Sequence, residues 1–145
     1  MKIIPSVLLV DDDVSDLVLC ELTLGRTKRF PRTFRARTGE QVLALFTRAA
    51  QSSDPPPEPF PPDLMFVDVH MPAMTGLELV DELLRLRTAA IVPVLPPIVM
   101  LSASLDPREE ARAVAHPAVL EYMAKPMRVD AANRLADRLG REIGS

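Results

Sequence analysis

Several residue types are scarce in this chain of 145 residues. The single cysteine, Cys20, excludes an internal disulfide and by itself cannot form a thiolate metal cluster, so we expect it to be a small core residue on a helix. The net charge of −3 leaves no basic excess to attract nucleic acid or an anionic membrane. The opening apolar run, MKIIPSVLLV, contains a proline and is too short for a signal peptide or a membrane span. These absences predict a cytoplasmic protein that binds neither nucleic acid nor membranes.

Proline, by contrast, is abundant. Hydrophobic residues make up 48% of the chain and charged residues 26%, which at this length is typical of one soluble domain with a sizeable core. Six of the 15 prolines lie in DPPPEPFPPD, at 54–63, and they predict an extended, solvated loop over about 51–63. A second irregular stretch lies at 89–97. Either segment could dock a partner or the second chain of a homodimer, or have no role.

The rest of the sequence alternates between two patterns. Five short apolar segments are predicted strands: 3–10, 33–37, 64–69, 98–103 and 118–126. Each is followed by a helical pattern, at 14–25, 38–46, 75–86, 106–115 and 129–141. In the first helix the predicted apolar stripe is Val14, Leu17, Val18 and Leu22, and Gly25 is the predicted end. This alternation predicts an α/β fold in which helices cover both faces of a parallel sheet.

Residues with capping chemistry precede most of the predicted helices. They are Asp13, the capping-box pairs Thr38–Gln41 and Thr75–Glu78, and Asp106 before Pro107. In the fourth helix, Glu109 and Glu110 lie near the positive end of the helix dipole. Both glutamates are therefore expected to favour the start of that helix.

Polar residues stand where four of the predicted strands end. They are Asp11, Asp12 and Asp13 after the first strand, Asp68 at the third, Ser102 at the fourth and Lys125 at the fifth. In an open parallel sheet these ends form the functional edge. Converging carboxylates repel one another, and oxygen ligands without a Cys or His cluster favour magnesium. Such a site would let Asp68 accept a phosphoryl group, with Lys125 and the Ser102 hydroxyl binding its oxygens.

Four motifs then carry a family resemblance over nearly the whole chain. Each closes a predicted strand: VLLVDDD at 7–13, FVDVHMPAMTG at 66–76, IVMLSAS at 98–104 and EYMAKP at 121–126. In this order they resemble the receiver domain of two-component response regulators. The resemblance implies a flavodoxin-like, doubly wound sheet of five parallel strands in the order 2-1-3-4-5, with five helices. It also implies a single stand-alone receiver domain over residues 1–145, with no output domain.

The resemblance assigns roles by position. Asp68 resembles the phosphoacceptor, Asp11 and Asp12 the acidic pair that binds magnesium, and His70 the residue whose backbone carbonyl completes the metal site. Lys125 resembles the phosphate-binding lysine. The run of three aspartates leaves a one-residue ambiguity, which we resolve in favour of Asp11 and Asp12 because they directly follow the apolar strand.

Further positions resemble the family's switch and its tuning residues. Ser102 resembles the hydroxyl that moves towards the phosphoryl group, and Tyr122, the only tyrosine, the aromatic switch that follows it. Ala103 is small enough to leave the acceptor accessible, while His70 and Ser104 resemble positions that govern the approach of water. Alternatively, Tyr122 simply packs beside the sheet, and His70 and Ser104 are ordinary surface residues. The family's output surface corresponds to the fourth helix, fifth strand and fifth helix.

The resulting prediction is a signalling protein rather than an enzyme. A histidine kinase or histidine phosphotransfer protein would phosphorylate Asp68 with magnesium, and the altered surface would act on an unidentified downstream protein. One alternative is a degenerate receiver that binds partners constitutively. A second is a phosphohydrolase with an aspartyl-phosphate intermediate, resembling haloacid dehalogenases, because Asp13 lies two residues after Asp11. That class places its nucleophile on the first strand and needs a substrate cap, and no cap is evident in the sequence.

Overall fold

The computed structural model describes residues 1–51, 60–104 and 106–143. Its strands are β1 Lys2–Ile3, β2 Ser6–Val10, β3 Arg32–Ala36, β4 Leu64–Asp68, β5 Ile98–Ser102, β6 Val119–Ala124 and β7 Arg141–Glu142. Its helices are α1 Val14–Thr27, α2 Gly39–Gln51, α3 Gly76–Thr88, α4 Pro107–Ala115 and α5 Val129–Leu139. The main sheet is parallel, in the order β3-β2-β4-β5-β6. This is the predicted order once the short β1 is set aside, so the predicted fold class is confirmed.

Two apolar cores lie on opposite faces of this sheet. On one face, Leu17 and Leu24 of α1 pack with Leu135 of α5. On the other, Phe46 of α2 and Leu83 of α3 belong to a core shared with α4. All residues of β2, β4 and β5 are buried because these central strands are covered on both sides, which explains their nearly continuous apolar sequences.

The first predicted strand, at 3–10, is in fact two strands. Pro5 lies between β1 and β2, where a residue without an N–H interrupts the ladder. The separated β1 pairs antiparallel with β7, with Lys2 opposite Glu142 and Ile3 opposite Arg141. This two-stranded ribbon was not predicted, because each of its strands has only two residues and no recognisable apolar pattern.

Helix α1 also departs from its prediction. Val14, Val18 and Leu22 are 44%, 40% and 57% exposed, whereas Leu17 and Leu24 are buried. The helix passes through Gly25 and ends at Thr27, with Lys28 in the left-handed conformation at φ 59°. The predicted stripe was therefore only partly right, and the predicted end was wrong.

The predicted caps are present, with one variation. Asp13 accepts hydrogen bonds from two N–H groups of α1, Thr75 and Glu78 form a complete capping box, and Asp106 caps α4 ahead of Pro107. Thr38 accepts from the Gln41 N–H at 3.1 Å, but the Gln41 side chain accepts from the N–H of Arg37 instead of that of Thr38. No helix among the described residues has both the length and the apolar character needed to cross a membrane.

The first predicted irregular segment precedes β4, and the second precedes β5. Residues 52–59 of the proline-rich segment lie outside the described residues. Its end is anchored by Asp63, whose Oδ2 accepts hydrogen bonds from the N–H and hydroxyl of Ser6 at 3.0 and 2.9 Å. Phe60 packs edge-on against Phe46 with ring centroids 5.1 Å apart. In the second segment Val92 is buried in the core, whereas Ile91 and Val94 are exposed.

Candidate functional site

Parallel strands bring the predicted site residues to one edge of the sheet. Asp11 directly follows β2, Asp68 ends β4, Ser102 ends β5 and Lys125 directly follows β6. The first three are buried, at 6%, 6% and 0% exposure. Gly76, at the start of α3, allows a close approach to this edge, since a Cβ there would lie 2.2 Å from the carbonyl oxygen of Asp68. The backbone at the start of α3 therefore packs directly against the end of β4.

The Lys125 ammonium is the centre of the ion pairs at this edge. Its Nζ lies 2.7 Å from Oδ2 of Asp11, 2.8 Å from Oδ2 of Asp16 and 3.2 Å from Oδ1 of Asp68. Burial by itself would lower the pKa of Lys125, but the hydrogen bonds to Asp11 and Asp16 outweigh burial and raise this pKa above its ordinary value. Lys125 is therefore held as a cation beside Asp68.

Three carboxylates form the acidic part of the site. Oxygen atoms of Asp11, Asp12 and Asp68 lie within 4.8 Å of one another. Burial and the charge of Asp11 raise the pKa of Asp68 from 3.8 to about 6, against the opposing effects of Lys125 and the His70 N–H. Asp13 is occupied elsewhere, as the cap of α1. The geometry thus groups Asp11 and Asp12, rather than Asp13, with Asp68.

Ser102 and Tyr122 do not point their hydroxyls at Asp68. The Ser102 hydroxyl donates to Oε1 of Glu109 at 2.5 Å, and it accepts from the Ser104 N–H at 3.0 Å. The Tyr122 hydroxyl lies 2.8 Å from the same Oε1 and 3.1 Å from the Ser104 carbonyl. The two predicted switch residues are therefore linked by hydrogen bonds to Glu109, for which the sequence predicted only a place near the start of a helix.

Glu109 is the larger of two omissions from the predicted site. This carboxylate is 4% exposed, and its Oε2 pairs with Nε2 of His70 at 2.5 Å. Burial would raise the pKa of Glu109, but the hydrogen bonds from Ser102 and Tyr122 and the interaction with His70 lower it. A signal was available in the sequence: Glu109 lies four residues before Ala113, on the helix face that packs against the sheet.

Asp16 is the second omission. It lies in the first turn of α1, where an acidic residue is expected simply to favour the helix dipole. The structure instead directs its carboxylate to Lys125, at the far end of the sequence. No spacing rule predicts this contact, because it depends on how α1 packs against the edge of the sheet.

A cavity of about 230 Å³ adjoins the ion pairs on the side of α1. Asp11, Asp16 and Lys125 form its polar wall, and Leu17 and Cys20 are among its apolar lining. Burial, followed by the charges of Asp11 and Glu21, raises the pKa of the Cys20 thiol to about 12. Cys20 is thus a partly buried, protonated thiol on a helix, packed against the core in which the sequence placed it.

Comparison with known proteins identifies the class to which this fold and site belong. The model of the response regulator receiver domain matches residues 7–137, so the chain belongs to this family of two-component signalling modules. A crystal structure of a two-component response regulator from Cytophaga hutchinsonii superposes with a TM-score of 0.80 at 27% identity, over 95% of this chain and 98% of that one.

Two curated relatives contain a similar segment within a longer protein. The two-component response regulator ARR2 of Arabidopsis thaliana is 28% identical over 130 residues, which are 89% of this chain and 17% of that protein. A protein-glutamate methylesterase/protein-glutamine glutaminase of Ralstonia nicotianae is 38% identical over 87 residues, 57% of this chain and 20% of that protein. The chain therefore spans about a fifth of the length of these relatives or less.

Proposed function

We propose that this receiver domain accepts a phosphoryl group on Asp68 from the phosphohistidine of a histidine kinase or a histidine phosphotransfer protein. The observation that carries the proposal is the environment of Asp68. This carboxylate is buried at the end of β4, 3.2 Å from the Lys125 ammonium and grouped with two other carboxylates. Such an arrangement suits the transfer of a negatively charged group, because the Lys125 ammonium and a metal ion held by the carboxylates would offset the charge of the incoming phosphoryl oxygens.

The transfer itself is a displacement at phosphorus. An oxygen of the Asp68 carboxylate forms a bond to phosphorus while the phosphorus–nitrogen bond of phosphohistidine breaks. The electron pair of that bond returns to the imidazole nitrogen, which takes up a proton from solvent. The product on this chain is an acyl phosphate. Lys125 neutralises one phosphoryl oxygen as a point charge, for which its position between Asp11 and Asp68 is suitable.

The donor set fits a magnesium ion. Asp11, Asp12 and Asp68 offer hard oxygen atoms within 4.8 Å of one another, and burial together with the charge of Asp11 raises the pKa of Asp68. The family resemblance adds the backbone carbonyl of His70. When bound, the ion would neutralise charge on the phosphoryl oxygens. Asp11 would then be shared between the metal and Lys125.

Signalling would follow from rearrangement of Ser102 and Tyr122. In the structure both hydroxyls donate to Oε1 of Glu109. A phosphoryl group on Asp68 would draw the Ser102 hydroxyl inward and allow Tyr122 to follow, changing the surface of α4, β6 and α5. A protein partner would recognise that surface. His70 and Ser104, which flank the acceptor and Ser102, would regulate the entry of water for dephosphorylation.

Two other functions are less well supported. In a degenerate receiver the acceptor, the lysine or the hydroxyl residue would be missing, whereas Asp68, Lys125 and Ser102 are all present at the edge of the sheet. A phosphohydrolase of the haloacid dehalogenase type would use an aspartate after its first strand, which here is Asp11. Lys125 pairs with Asp11 and with Asp68 alike, so the contacts do not separate the two residues, and the family match over residues 7–137 is what favours the receiver.

One experiment separates the three functions. The protein is incubated with acetyl phosphate and magnesium, and its intact mass is measured before and after hydroxylamine treatment. We expect a single adduct that is stable in acid, removed by hydroxylamine and absent from Asp68→Asn. An adduct that survives in Asp68→Asn, or no adduct on the wild type, would refute the proposal. Continuous release of phosphate from varied phosphoesters would favour the hydrolase instead.

A further inference from the structure

The carboxylate of Glu109 joins three side chains that the proposed function otherwise treats separately. Its Oε1 accepts from the hydroxyls of Ser102 and Tyr122 at 2.5 and 2.8 Å. Its Oε2 lies 2.5 Å from Nε2 of His70. Glu109 is 4% exposed, so these groups replace the water that an ionised carboxylate requires.

The Ser102 hydroxyl has only one proton, and it can donate that proton to one acceptor at a time. In the structure the acceptor is Glu109. A phosphoryl oxygen on Asp68 would need the same proton. Glu109 and the phosphoryl group are therefore competitors for Ser102, and the competition lies in a buried region where charge-assisted hydrogen bonds are strong.

We propose that Glu109 is a positioning residue that holds Ser102 and Tyr122 in the unphosphorylated arrangement and must release Ser102, and Tyr122 after it, when Asp68 is phosphorylated. The inference rests on the proposed function, since it needs a phosphoryl group at Asp68 as the competitor. It also assigns a part to His70, which lies two residues after Asp68 and pairs with the opposite oxygen of Glu109. Through this pair, α4 is connected directly to the loop that follows the acceptor.

The competition has a definite direction. When Ser102 turns to the phosphoryl group, Glu109 loses a donor while it remains buried, and an ionised buried carboxylate with fewer donors is less stable. Wild-type Glu109 thus opposes the activated arrangement. A glutamine has nearly the same size and also accepts hydrogen bonds, but its neutral amide is less costly to leave with fewer donors. Glu109→Gln should therefore favour the activated arrangement.

The test compares Glu109→Gln with Glu110→Gln, a matched control that removes the same charge from an exposed neighbour on α4. Beryllium trifluoride with magnesium serves as the phosphoryl mimic, and its affinity is measured by isothermal titration calorimetry. Tyrosine emission provides a second readout, because the chain contains one tyrosine and no tryptophan. A hydrogen bond from the Tyr122 phenol to a carboxylate quenches this emission.

We expect Glu109→Gln to bind the mimic about tenfold more tightly than the wild type, the size of effect that one charge-assisted hydrogen bond produces. Before the mimic is added, tyrosine emission should be higher in Glu109→Gln than in the wild type. Glu110→Gln should match the wild type in both measurements. Equal or weaker binding by Glu109→Gln, or emission equal to that of Glu110→Gln, would overturn the inference.

A measurement on the wild type alone decides the question if Glu109→Gln does not fold. Tyrosine emission should change in step with the binding of the mimic, and a saturating mimic that leaves emission unchanged would overturn the role of Glu109. If the wild type does not bind the mimic at all, the proposed function fails, and this inference fails with it. Binding without a change in emission refutes only the inference, so the two failures are distinguishable.

Discussion

The side chain of Asp68 illustrates how a reactive group is held at the expense of stability. Burial and the charge of Asp11 raise its pKa from 3.8 to about 6. The folded protein therefore binds this proton more tightly than the unfolded chain does. As a result, the contribution of Asp68 to stability becomes unfavourable as the pH rises from 3.8 to about 6, and the penalty is complete above that range.

We therefore predict that Asp68→Asn is more stable than the wild type at pH 8 without magnesium. The expected gain in the free energy of unfolding is about 1 to 2 kcal/mol, measured by urea denaturation. The gain should shrink at pH 4, where the wild-type carboxyl is largely protonated, and also in the presence of magnesium. Equal stability of the two proteins at pH 8 would contradict the proposed electrostatic cost.

Cys20 gives a second prediction for a single side chain. Its thiol has a pKa raised to about 12 by burial and by the charges of Asp11 and Glu21, so the reactive thiolate is rare at pH 8. We expect iodoacetamide to label native Cys20 at least about a hundredfold more slowly than the urea-unfolded chain, as followed by mass spectrometry. Equal labelling rates would show that the thiol is neither buried nor protonated as described.

The sequence and the structure agree at the residue scale where a side chain directly follows a strand. Asp11, Asp68, Ser102 and Lys125 could be predicted together because parallel strands must end at a common edge. Glu109 and Asp16 could not be assigned their contacts in this way. Each lies on a helix, and its partner is determined by how that helix packs, which a local pattern does not specify.

At the scale of single elements, α1 shows why an apolar pattern can leave the buried face undetermined. One possible stripe contains Val14, Val18 and Leu22, and another contains Leu17 and Leu24. Both satisfy helical periodicity, but only the second is buried. The choice is made by the orientation of the helix against β2 and α5. The pairing of β1 with β7 could not be predicted either, because a strand of two residues is too short to show an apolar pattern.

Two glycines lead to a prediction about helix ends. Gly25 lies within α1, and a Cβ there would meet no atom within 4 Å. Gly140 caps α5, and a Cβ there would lie 2.4 Å from the Ala136 carbonyl oxygen and 2.9 Å from Cβ of Lys2. Gly25→Ala should stabilise the protein by about 0.5 to 1 kcal/mol, because alanine favours an exposed helix interior. Gly140→Ala should destabilise it by about 1 to 3 kcal/mol, because both the last turn of α5 and the ribbon beside it must move.

Thermal and urea unfolding of both variants would check this pair, with each serving as the control for the other. Opposite signs are expected from the same chemical change. Equal destabilisation by both substitutions would contradict the prediction that close packing distinguishes Gly140 from Gly25.

At the scale of the whole molecule, the fold was predictable because several levels of organisation agree. Apolar strands alternate with helical segments, helices pack on both faces, and the strand order follows from the family that the motifs resemble. The result is a sheet whose buried centre, β2, β4 and β5, holds acidic and hydroxyl groups at a single edge. A phosphoryl group on Asp68 would contact Ser102 and Lys125, which come from the second half of the chain.

Reductive trapping identifies the residue that carries the acyl phosphate, which we propose is Asp68. The protein is treated with acetyl phosphate and magnesium, reduced with borohydride, digested and sequenced by mass spectrometry. Borohydride converts an aspartyl phosphate to homoserine, so we expect homoserine at position 68 and intact aspartate at Asp11, Asp12 and Asp13. Homoserine at any of those three positions, or none in the chain, would contradict it.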